Sequence, residues 1–137
     1  DCTKYWELEP QVALCDQAGV PLDPLERTSP KLLHSKTGAI LARDRFGEPD
    51  DVYEAIFCHT TGKPGMTTLD KILYLADYME PNRDFDGVEE LRRLVWEDLD
   101  QAMVLGLEMS VEDLQGRGVE VHRNTWDALE ELRRVPR

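Results

Sequence analysis

Apolar residues recur along this chain at intervals of three and four, and no strand-length run alternates strictly between apolar and polar positions. That spacing lines one face of an α-helix, whereas a half-buried strand requires a period of two. The expected fold class is therefore all-α, a helical bundle.

Glycine and proline divide the pattern into segments. A first helix is expected from about Glu9 to Ala18, with Val12, Ala13 and Cys15 inward, stopping at Gly19 before Pro21 and Pro24. Val20 to Ser29 reads as a loop or a single turn. Ser29-Pro30 supplies a cap and a first-turn proline for a helix reaching Phe46, which Gly47 and Pro49 end. Asp50 or Asp51 caps a short helix through Val52, Ala55, Ile56 and His59, and Thr60 to Gly65 forms a loop. Thr67 or Thr68 opens a helix through Leu69, Ile72, Leu73, Ala76 and Met79, closed by Glu80-Pro81. After the polar stretch Asn82 to Gly87 come Val88 to Trp96, Leu99 to about Leu114, and a last helix from Asn124 to Arg134. Trp96, Leu99, Met103, Leu107 and Leu114 are the core expected for this half.

At 137 residues, one domain (1–137) with a substantial core is expected, and no repeat or long linker divides it. Charge narrows the partners. Asp and Glu number 28 against 16 Lys and Arg, a net −12, the wrong sign for a nucleic-acid polymer or an anionic membrane surface. No apolar run approaches the ~20 residues that span a bilayer, and no basic-then-apolar leader opens the sequence. Cys2, Cys15 and Cys58 are odd in number and contain no Cys-x-x-Cys, which disfavours a disulfide framework and fits a reducing cytoplasm. The first residue is Asp rather than Met, so a processed product or a piece of a longer chain is expected.

Three polar residues interrupt apolar stripes. His34 shares a helical face with Thr37, Gly38 and Leu41, and Gly38 leaves room for something to approach that face. His59 ends the Val52, Ala55, Ile56 stripe, and Asp77 follows Leu73 by one turn. Each has a plainer reading: a hydrogen-bonded core histidine, or an edge carboxylate that is exposed or paired with Lys71 or another cation. Together, two imidazoles and a carboxylate from successive helices suit iron, manganese, cobalt or zinc better than magnesium or calcium. Lys4, Lys63 and Arg83 lie by loops or the amino terminus, and Thr60, Thr61 and Gly62 offer donors suited to phosphate oxygens, or else ordinary solvated loop polarity.

Four strings then become informative: Asp1-Cys2-Thr3-Lys4, Leu32 to Ala39 around His34, Cys58-His59-Thr60-Thr61-Gly62-Lys63-Pro64-Gly65-Met66, and Leu75-Ala76-Asp77-Tyr78-Met79-Glu80-Pro81. In this order they resemble the YqeK family of the HD superfamily of metal-dependent phosphohydrolases, symmetrical diadenosine tetraphosphate hydrolases that release two ADP. Similarity continues through Arg83-Asp84-Phe85 and Gly87 to Arg92, and more weakly into the final helix.

The resemblance implies a dinuclear metal centre, usually iron, with manganese or cobalt as alternatives. Its ligands run in the order His, His-Asp, His, His, Asp. Asp1 matches the Asp of the doublet and would bridge the metals, His34 and His59 would complete the second metal, and Asp77 would bind the first. The two earlier histidines lie before the first residue supplied, so this chain is expected to lack amino-terminal helices and two ligands, leaving activity to the parent protein. Asp1 and Lys4 carry the implied catalytic roles. Lys4, Thr60, Thr61, Gly62 and Arg83 are the implied substrate contacts, with a dinucleoside polyphosphate or ADP as the partner. Paired cations would offset the repulsion between phosphate oxygens and an anionic nucleophile, and would bring the pKa of water between them toward neutrality. His122 is read as structural, with Asn124 or Thr125 capping the last helix.

Two rival readings stand beside this one. The first is an HD-type enzyme acting on nucleoside monophosphates or guanosine alarmones. The second is a non-catalytic acidic helical interaction module with its histidines packed in the core. Oligomeric state is left open, a homodimer included.

Overall fold

The computed structural model describes residues 1–135, and among these every regular element is helical. Seven α-helices and one short 3-10 turn fall into two compact units, Asp1–Thr60 and the residues from Thr61 onward.

The first unit holds α1 (Leu8–Gln17), a 3-10 turn (Glu26–Thr28), α2 (Pro30–Phe46) and α3 (Asp50–Phe57). Helix α2 has the expected limits because both ends are chemically marked. Ser29 accepts a hydrogen bond from the Leu32 amide at its start, and Gly47, at φ 62°, takes the left-handed conformation that closes it. Cys15, Leu33 and Ile40 form the buried centre, with Leu8, Val12, Leu14, Val20, Leu22 and Tyr53 around it. Ala13, expected inward, is exposed, because α1 instead turns Gln11 and Cys15 inside. Gln11 is wholly buried, and its amide group donates to the carbonyls of Trp6 and Pro30 at 3.1 and 3.3 Å. A buried Lys36–Glu26 ion pair at 2.6 Å ties α2 to the 3-10 turn, with the ammonium 4.3 Å from the Phe57 ring centre.

The second unit holds α4 (Thr68–Tyr78), α5 (Val88–Glu97), α6 (Leu99–Gly116) and α7 (Arg123–Arg133). Its core joins Tyr74, Leu75, Leu91, Met103, Leu107, Val111, Leu129 and Leu132. Helices α4 and α6 approach closely where Gly106 stands, since a methyl group there would lie 3.0 Å from Leu75 Cδ2. Between α4 and α5, the guanidinium of Arg92 donates to the carbonyls of Met79, Glu80 and Arg83 at 2.9–3.0 Å and so fastens the connecting loop.

Three sequence expectations change in this unit. Helix α4 buries Asp70, Tyr74 and Leu75, while Leu69, Ile72 and Ala76 are exposed. The cause is the reciprocal cap of Thr67 and Asp70, whose carboxylate accepts from the Thr67 amide at 2.9 Å and fixes the rotation of the first turn. Trp96, expected in the core, is 89% exposed, because α5 directs Val88 and Leu91 inward and reaches solvent by its last turn. His122 is itself the cap of α7, with Nδ1 accepting from the Asn124 amide at 3.0 Å.

Candidate metal centre

The candidate centre lies within the first unit and is built from one turn and two helices. The turn at the amino terminus closes through Lys4 N–H donating to the Asp1 carbonyl at 3.1 Å, followed by Trp6 N–H to the Thr3 carbonyl at 3.0 Å. Helix α2 presents His34 from its second turn. His59 follows α3, where its amide donates to the Ile56 carbonyl at 3.3 Å.

Both imidazoles are oriented in the same manner. Nδ1 of His34 lies 2.5 Å from the Lys31 carbonyl, and Nδ1 of His59 lies 2.7 Å from the Ile56 carbonyl. A carbonyl oxygen only accepts, so each Nδ1 carries the proton, and in the neutral ring Nε2 presents a lone pair. Those two Nε2 atoms sit 3.6 and 3.7 Å from a single oxygen, Oδ1 of Asp1. Both histidine side chains are 7% exposed, whereas the Asp1 side chain is 49% exposed.

Two imidazole nitrogens and a carboxylate oxygen facing one another can share a cation. The separations exceed hydrogen-bond length, yet ligands sharing one ion at ~2.1 Å each stand on the order of 3–4 Å apart. One ligand atom from each of Asp1, His34 and His59 falls within 4.8 Å of the others. Nitrogen and carboxylate oxygen, with Nδ1 held by backbone carbonyls, form a donor set that fits a divalent transition metal.

Other residues singled out from the sequence are distributed differently. Lys4 is exposed, its ammonium 5.9 Å from the centre of the Tyr5 ring. Thr60 lies 3.0 Å from the hydroxyl of Ser35, which also donates to the Leu32 carbonyl at 3.1 Å. Asp77, Arg83, Thr61 and Gly62 belong to the second unit. There Arg83 Nη2 stands 3.8 Å from Asp77 Oδ2, and its Nε stands 3.9 Å from Glu80. Thr61 accepts at its carbonyl from Thr125 at 2.8 Å, and buried Gly62 is enclosed by Met66, Leu107 and Ala128.

The sequence reading missed a polar network beside the two histidines. Thr3 is wholly buried and donates from Oγ1 to the His34 carbonyl at 3.1 Å. Thr37 Oγ1 lies 2.7 Å from Thr3 Oγ1 and 3.0 Å from Gln11 Oε1. Gly38 borders this network, and a methyl group there would make ordinary contacts with Thr3 and Ile56 at 3.8 and 4.0 Å. The one signal in the sequence was Gly38 beside Thr37 on the His34 face.

Known proteins resemble this chain over most of its length. The HD domain model matches residues 16–82. A Bacillus subtilis protein named symmetrical bis(5'-nucleosyl)-tetraphosphatase is 36% identical over 92% of this chain and 68% of its own length. A protein of the same name from Halalkalibacterium halodurans is 40% identical over 74% of this chain and 55% of its own. A crystal structure from Clostridium acetobutylicum, described as a predicted HD superfamily hydrolase involved in NAD metabolism, superposes with a TM-score of 0.91 at 38% identity. That match covers 96% of this chain and 70% of the other. With identity of this order extending over two-thirds of a relative's length, and the HD match spanning both histidines, the chain belongs to the YqeK-type family of HD-domain symmetrical bis(5'-nucleosyl)-tetraphosphatases.

Proposed function

We propose that the protein hydrolyses diadenosine tetraphosphate symmetrically to two ADP at a divalent metal centre to which Asp1, His34 and His59 contribute. The observation that carries the reading is the convergence of two Nε2 atoms on one Asp1 oxygen. The names of the Bacillus and Halalkalibacterium relatives supply the substrate class.

A divalent ion held there supplies Lewis acidity to a phosphoanhydride, whose negative oxygens otherwise repel an incoming water. The chain's own groups do the rest. His34 and His59 keep their Nε2 atoms aimed through the Lys31 and Ile56 carbonyls. Lys4, three residues from Asp1 and exposed, offsets charge on the phosphate chain. Arg83 is the proposed second cation for the phosphates, and Thr60, Thr61 and Gly62 are the proposed lining of the nucleotide pocket. Asp77 is proposed as a further ligand on the family pattern. In the net reaction a water oxygen bonds to one central phosphorus and the bond to the bridging oxygen breaks. The bridging oxygen leaves on the second ADP, and the water's protons pass to solvent or to product oxygens.

Iron is the proposed metal of a dinuclear centre, with manganese or cobalt as replacements, as the mixed nitrogen and oxygen donors favour. Three cysteines without a Cys-x-x-Cys support a reducing, cytoplasmic setting; a net charge of −12 disfavours a nucleic-acid polymer, and the metal, Lys4 and Arg83 offset it locally for the anionic substrate.

The test is product analysis on the full natural chain carrying these residues, loaded with iron, manganese or cobalt and given diadenosine tetraphosphate. Two ADP per substrate is the expected result. Intact substrate, or ATP with AMP, overturns the reading, and phosphate release from mononucleotides instead would favour the rival HD-type activity.

A further inference from the structure

We infer that the buried hydroxyl of Thr3 is a positioning group that sets the distance between Asp1 and His34, and through it the affinity of the centre for metal. The inference rests on the metal-site reading above and deepens it.

Asp1 sits in a short turn that the Lys4 amide closes on its carbonyl, with its Oδ1 3.6 Å from Nε2 of His34. Two residues later the same turn sinks Thr3 completely into the protein. Its Oγ1 donates to the backbone carbonyl of His34, the residue whose ring faces Asp1. The turn is thereby pinned to the backbone of one of the ligands it must meet.

The pin is itself held. Thr37 Oγ1 stands 2.7 Å from Thr3 Oγ1, which has already committed its proton to His34, so Thr37 can donate to it. Thr37 carries one proton, so Gln11 Oε1, 3.0 Å away, accepts it only in place of Thr3, while the Gln11 amide group donates to the Trp6 and Pro30 carbonyls and ties the turn's exit to the start of α2. Gly38 faces the same hydroxyl, which would lie in ordinary contact, 3.8 Å, from a methyl group there. Gln11, Thr37, Thr3 and His34 are all buried, and the contacts among them are therefore not softened by water.

A threonine kept only for packing would be replaced equally well by valine, which has the same shape. A positioning hydroxyl would not. Loss of an outer partner of a metal ligand weakens metal binding by about 10–100-fold.

The experiment uses the full natural chain and cobalt(II), read by equilibrium dialysis with metal analysis and by the visible spectrum of the bound ion. Thr3→Val is expected to weaken cobalt binding at least tenfold and to alter the spectrum, with helical content retained. Thr3→Ser is expected to restore both, and Thr37→Val to give a smaller change in the same direction. Should Thr3→Val not fold, Thr3→Ser and Thr37→Val decide the matter, since a packing role predicts a defect for serine and wild-type cobalt binding for Thr37→Val. Unchanged affinity and spectrum in Thr3→Val, with His34→Ala still losing the metal, overturns the positioning role alone. If His34→Ala binds cobalt like the wild type, the metal-site reading falls and the inference with it.

Discussion

The rings of His34 and His59 meet edge to face, their centroids 5.1 Å apart and their planes at 72°. Two side chains separated by most of a helix, a turn and another helix are thereby held side by side. Each is aimed by a carbonyl three residues before it, so the preorganisation comes from local helical geometry.

Replacing either histidine should therefore empty the centre. His34→Ala and His59→Ala are each expected to lower bound metal and kcat/KM by more than the roughly 10–100-fold typical of losing an outer partner. Metal analysis and steady-state kinetics check this, and wild-type values in both variants would favour the interaction-module reading.

Arg92 is expected to matter through the loop it fastens. Its fork serves three carbonyls, including that of Arg83, so Arg92→Ala should cost about 2–4 kcal/mol in urea unfolding and should raise KM. Arg92→Lys should recover little, because an ammonium cannot reproduce the planar fork.

Gly87 precedes α5 with φ 89°, a conformation that costs other residues roughly 1–2 kcal/mol. A methyl group there would also lie 2.5 Å from Met109 Cε, although that flexible end can move aside. Gly87→Ala should thus lower stability by about the backbone cost, measured by denaturant titration.

Alkaline pH should weaken the second unit. Burial pushes the Tyr74 phenol well above its ordinary value of 10.0, against a partial offset from its bond with Ser110, and burial likewise raises Tyr78. The folded state then holds protons that the unfolded state releases, so this contribution is intact below about pH 10 and is lost as pH climbs above it. Urea unfolding at neutral and at alkaline pH should show the decline, and Tyr74→Phe should flatten it.

Thiol reactivity offers a simple check on the first unit. Cys2 is exposed, Cys15 and Cys58 are buried, and burial raises the Cys15 thiol. One fast-reacting thiol is expected in the native chain and three after denaturation; a second fast thiol would contradict the burial of Cys15 on α1 or of Cys58 after α3.

The sequence made α2 legible because Ser29, Pro30 and Gly47 each have a specific backbone preference. The buried face of α4 was not legible: its orientation follows from a carboxylate, Asp70, turned inward to cap its own helix, where apolar spacing pointed to Leu69 and Ile72. Trp96 misled for the opposite reason, since aromatic size says nothing about which side of the last turn faces water. At the candidate centre, His34 and His59 stood out as polar interruptions of apolar stripes, while Asp1 was legible only through family resemblance. Thr3 and Gln11 left no mark, because a hydroxyl or amide in a polar stretch looks the same whether buried or solvated.

The notch at Gly106 has a consequence for Asp77. Leu75 seats against it only two residues earlier on α4, so sliding that helix along α6 would drive Leu75 out of the notch and against neighbouring side chains. The axial height of Asp77 within the second unit is thus gauged by an uncharged position on a different helix. Drift at Gly106 would retune a carboxylate it never touches.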